Sequence, residues 1–166
     1  MNTKKISITF WGDGLSKEKW GKWYSSVKNL MKKYGYPCTH IGIKSESYNT
    51  GKILTVSRKE KEILGKIKNG EKPEKFSCYS LPRNYEIAAF DYNFLAVRDE
   101  FYSSFIVNEE EYSLEMEQQI TLLMKEFVDY TEGEVYITSN AESPLLYAIT
   151  RDNRNIVDYK FVKKLN

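Results

Sequence analysis

His40 is the single histidine of the chain, and it lies two positions from Cys38. On a strand that spacing sets both side chains on one face, the first two parts of a Cys-His nucleophile. No third group nearby would orient the imidazole, so the expected roles are a locally bonded histidine and two buried free thiols, Cys38 and Cys78. One histidine excludes a two-histidine phosphoesterase and a His-rich metal site, and the cysteines lack C-x-x-C spacing. Asp91, Asp99 and Glu100 are of the type that does acid/base work or holds Mg²⁺, but their spacing selects neither. Gly12-Asp13-Gly14 falls where phosphate loops fall. It lacks both G-x-G-x-x-G and the Walker lysine, and Asp13 would repel a phosphate, so a tight turn is expected. Trp11, Trp20 and Trp23 read as core anchors. The residues therefore point to no cofactor, no metal and no enzyme.

Charge carries more information. Residues 1–83 hold 18 basic and 7 acidic side chains, a net of +11, whereas residues 84–166 hold 7 basic and 16 acidic, a net of −9. From Glu86 to Glu142 there are 14 acidic residues against only Arg98 and Lys125. Such asymmetry implies a charged partner, and acids beside aromatics have the composition of a binding hot spot. The candidate contact residues are Asp91, Tyr92, Asp99, Glu100, Tyr102, Glu109, Glu110, Glu111 and Tyr112. The lysines of the first half are read as solvated helix faces. Only Arg58 and Arg83 among them are arginines, the residue that base readout favours, so no nucleic-acid partner is expected.

The elements that must position these residues follow from hydrophobic period. Lys5 to Trp11 alternates as a strand, and a helix over about 16–34, capped by Ser16, carries Trp20, Trp23, Val27, Leu30 and Met31 on one stripe. Thr39 to Ile43 alternates again and closes a β-α-β unit. A short helix over about 58–69 opens on the capping-box spacing Ser57 to Glu60. The runs Phe76 to Leu81, Glu86 to Phe90, Phe94 to Arg98 and Phe101 to Val107 read as a meander. A helix over about 113–131, capped by Ser113 and ended by Gly133, leads to the strand Val135 to Thr138, and Leu145 to Ile149 reads as another strand. The expected fold is α+β, a ferredoxin-like or related sandwich with a mostly antiparallel sheet, in one domain of 166 residues. No run reaches the ~18 apolar residues of a membrane span and no signal-like segment opens the chain, so a cytoplasmic protein with no membrane partner is expected.

The opening ISITFWGDGLSKEKWGKWYSSVKNLMKKYG and the segment SLPRNYEIAAFDYNF resemble immunity proteins encoded beside bacterial polymorphic toxins, including those of contact-dependent inhibition and type VI secretion systems. The resemblance implies a compact inhibitor, monomer or homodimer, that binds a cognate protein toxin. An acidic surface would suit a basic nuclease toxin, since it would take the place of phosphates. The alternatives are a phage anti-defence inhibitor and a small carboxylate-dependent enzyme acting on nucleotides or RNA.

Overall fold

The computed structural model describes residues 4–83, 92–139 and 143–165. The expected strand Glu86 to Phe90 lies outside them, as does Asp91. Eight strands form one antiparallel sheet: β1 (Lys5–Asp13), β2 (His40–Lys44), β3 (Ile53–Thr55), β4 (Lys75–Ser80), β5 (Phe94–Asp99), β6 (Tyr102–Asn108), β7 (Asp129–Thr138) and β8 (Lys160–Leu165). The helices are α1 (Trp20–Lys33), α2 (Val56–Lys68), α3 (Leu114–Phe127) and α4 (Ser143–Thr150). The fold is α+β, with strand order β3-β2-β4-β5-β6-β1-β7-β8.

Alternation along β1 divides the molecule. Ile6, Ile8 and Phe10 pack with α1, α2 and α3 in the larger core, which also takes Trp20, Trp23, Phe76 and Phe105. Trp11 points to the other face and joins Leu95, Val97, Tyr136 and Tyr147 under α4. That second face is polar at its centre: Thr9 shares hydrogen bonds with Ser104 (2.7 Å) and Tyr136 (3.0 Å), and the Tyr136 hydroxyl also reaches the Pro144 carbonyl at 2.9 Å. These contacts satisfy hydroxyls that burial would otherwise leave unpaired.

The second β-α-β unit forms as expected, since β6 and β7 flank β1 and α3 joins them. The first differs: three strands lie between β2 and β1, and the sheet is wider than two such units require. Leu145 to Ile149 is helical, not a strand. Pro144 sits in the first turn of α4, where its missing N–H is harmless, and Tyr147 and Ala148 are buried while Leu146 and Ile149 face out. A short apolar run has no period long enough to separate the two states.

Caps were mixed. Ser113 does cap α3, accepting from the Met116 N–H at 3.1 Å. The cap position of α1 is Lys19, in a left-handed conformation with no side-chain bond, and Ser16 instead donates to the Asp129 carboxylate at 2.6 Å. At α2 the cap position is Thr55, and Glu60, expected in a capping box, accepts from Tyr24 (2.5 Å) and Lys28 (2.6 Å) on α1. Gly133 lies inside β7, against the Phe10 ring, and α3 ends earlier, at Phe127.

Candidate functional site

Cys38, Cys78 and His40 are held in structural bonds. Cys38 packs in the helix-side core and its thiol donates to the His40 backbone carbonyl at 3.4 Å. The imidazole lies on the opposite side of β2 from Ile41, with Nδ1 2.8 Å from the Thr39 hydroxyl, so the expected shared face of Cys38 and His40 does not form. Burial lowers the His40 pKa below its ordinary value. The bond from Cys78 lowers that of Cys38, and burial pushes the Cys78 thiol up. Glu134 accepts from Tyr147 (3.0 Å) and Tyr159 (2.9 Å), a knot that ties α4 and the C-terminal segment to β7. Among the described residues no group of three or more His, Cys, Asp or Glu side chains is placed to hold a metal ion.

Another arrangement forms at the end of the sheet where β1 stops. β5 and β6 are joined by a two-residue tip, Glu100-Phe101. The Gly12 N–H donates to the Phe101 carbonyl and the Gly14 N–H to the Glu100 carbonyl, each at 3.0 Å. A Cβ on Gly14 would overlap the Asp99 carbonyl oxygen, so the Gly12-Asp13-Gly14 turn is a clamp whose second glycine permits the close approach. The Asp99 carboxylate accepts from the Phe101 N–H at 3.3 Å, and Asp13 accepts from the Leu15 N–H at 3.0 Å.

Arg98, with no exposed surface, anchors the loop behind this tip. It donates to the carbonyls of Gly14 (2.7 Å), Glu18 (3.2 Å) and Lys17, and its guanidinium lies 4.0 Å from the centre of the Trp20 ring. Three carbonyls and an indole face replace the carboxylate that a buried arginine usually takes. Burial brings its pKa down to about 10, so it keeps its charge at neutral pH. The tip is thereby fixed on both sides, and Phe101 stands at its apex 68% exposed, beside Asp99 and Glu100.

The candidate contact residues are not brought together. Asp99 and Glu100 are at the tip, whereas Glu109–Glu111 form a 3-10 turn at the other end of β6, about 20 Å away for a seven-residue strand. Tyr92 and Tyr102 are each 2% exposed and belong to the α4-side core, so neither reaches a partner. Of the two adjacent aromatics, Tyr102 is the first inward residue of β6 and Phe101 is the exposed one. The signal was the turn itself, because a tip residue escapes the inward alternation that the next residue begins. At the far end Glu111 accepts from Tyr36 at 2.6 Å and Tyr112 donates to Glu117 at 2.9 Å, and each bond, with burial, pushes its tyrosine pKa up to about 12.

Charge polarity along the sequence is folded away in part. α1 and α3 lie side by side, and Lys22–Glu126 (2.9 Å), Lys33–Glu115 (3.2 Å) and Lys17–Asp129 (3.4 Å) pair the basic half with the acidic half. Among the described acids of the second half, Asp99, Glu100, Glu109, Glu110, Glu111, Glu134 and Asp158 form no ion pair with a described residue.

Comparison with known proteins yields no match: no family model fits the chain, and no curated protein or solved structure matches it. No helix among the described residues is long and apolar enough to cross a membrane.

Proposed function

We propose that the chain is a non-enzymatic binding protein of the immunity type, which neutralises a cognate protein toxin by docking the acidic tip Asp99-Glu100-Phe101 on it. The observation that carries this reading is Phe101, an aromatic side chain 68% exposed on a tip that backbone bonds hold rigid. A large exposed aromatic on a fixed support loses little conformational freedom on binding, which is the character of an interface anchor. Asp99 and Glu100 beside it offer carboxylates to a basic partner, while Asp13 is set against the charged Arg98 guanidinium and Lys75 stands opposite Asp99 on β4. A basic nuclease domain is the toxin class such a tip fits, its carboxylates standing where phosphates would lie.

The test is co-expression with the product of the gene immediately upstream. Growth arrest by that product, relieved by this chain, is the expected result. A harmless product, or a toxic one whose effect this chain leaves unchanged, overturns the immunity reading. Association with the purified toxin should slow as salt rises, and the double variant Asp99→Lys, Glu100→Lys should remove most of that dependence.

A further inference from the structure

A pocket of about 490 Å³ opens between the start of α1, the end of α2 and the turn after it. Its apolar wall is Trp20, Leu64 and Ile67. Trp20 is fixed from behind, under the Arg98 guanidinium and stacked on Phe76 with ring centres 6.3 Å apart, so this wall is preformed. A Cβ on Gly21, which also lines the pocket, would meet nothing within 4 Å. Gly21 is in the first turn of a helix and neither a turn nor a close backbone approach requires it. It keeps the space open.

The rim is charged. Glu18 is paired with Lys72 at 2.8 Å, and Glu71 accepts from the hydroxyls of Ser45 (2.6 Å) and Ser47 (2.5 Å). Lys19 and Lys68 stand on the same rim and form no ion pair among the described residues. Glu18 is thus balanced by Lys72, Glu71 keeps its negative charge, and Lys19 and Lys68 bring the rim to a net of +1 around an apolar cleft of a volume typical for small ligands. We propose that this pocket binds a small amphipathic anion, an apolar chain or ring lying on Trp20, Leu64 and Ile67 with a carboxylate head at Lys19 and Lys68. The site is separate from the tip, and the immunity reading does not depend on it.

The probes are decanoate and decyltrimethylammonium, equal chains with opposite heads, used below their micelle concentrations. Calorimetric titration should show saturable one-to-one binding of decanoate, with a shift of the Trp20 indole N–H resonance. The cationic probe should bind about tenfold or more weakly, the scale set by reversing the sign of two partly exposed contacts. Gly21→Leu fills the pocket and should abolish decanoate binding with an unchanged circular dichroism spectrum. Lys19→Glu with Lys68→Glu, surface changes that leave the wall intact, should reverse the preference between the probes. No decanoate binding, equal binding of both probes, or undiminished binding by Gly21→Leu overturns the proposal.

Discussion

Replacing Arg98 by methionine keeps most of the packed volume and removes the guanidinium. Its three acceptors, the carbonyls of Gly14, Lys17 and Glu18, then lose their donor. A hydrogen bond from a charged group contributes about 1.5–3 kcal/mol, but part of that is offset because the variant no longer buries a cation. The loop carrying these carbonyls is at the surface, and Glu18 is exposed, so water recovers some of the loss. The net cost should be about 3 kcal/mol, which for a chain of this size lowers Tm by roughly 6–12 °C. Arg98→Lys, which places a compact ammonium where three diverging donors were, should fall between the wild type and methionine. Urea unfolding gives the energy, and amide exchange of residues 14–19 shows whether the loop loosens first. A methionine variant within about 1 kcal/mol of wild type, with unchanged exchange in that loop, would refute the assignment of Arg98 as the anchor of the tip.

Two glycines should respond oppositely to alanine. Gly14→Ala collides with the Asp99 carbonyl and should cost about 1–3 kcal/mol, while Gly21→Ala, facing open space, should stabilise by about 0.5 kcal/mol; thermal melts decide both. Tyr159→Phe removes a hydroxyl bonded to Glu134 and Tyr147 and should cost about 1 kcal/mol, measured by urea midpoint. His40 should titrate below its ordinary pKa of about 6.5, because burial disfavours the imidazolium. The unfolded state then binds the proton more readily, so the contribution to stability is full above pH 6.5 and is lost as pH falls through the folded pKa. Comparison with His40→Gln between pH 7.5 and 5 isolates it, and a folded titration at or above 6.5 contradicts it.

The larger core was legible because β1, α1 and α3 each repeat their apolar residues long enough to fix a period. Ile6, Ile8 and Phe10 alternate on one side of β1, and Trp20, Trp23, Val27, Leu30 and Met31 return every third or fourth residue of α1. α4 was not legible, since its few apolar residues fit either state and only packing against Tyr136 and Trp11 selects the helix. The wide sheet depends on pairings between distant segments, which no local pattern encodes. The tip was half legible: Asp99-Glu100 marked a turn, but the split between exposed Phe101 and buried Tyr102 rests on where the hairpin closes. Arg98 gave no signal at all, because its acceptors are backbone carbonyls and any sequence supplies those. Polarity in charge was plain along the chain, yet α1 against α3 turned a part of it into pairs.

Phe101→Ala tests the central claim most directly. At 68% exposure the change should leave Tm within about 1–2 °C of wild type, because surface substitutions of this kind shift stability by no more than ~0.5 kcal/mol. In cells making the upstream toxin, wild-type chain should restore growth and the Phe101→Ala chain, equally folded and equally abundant, should restore little or none. Equal protection by the two chains, or no protection by either, would contradict the account.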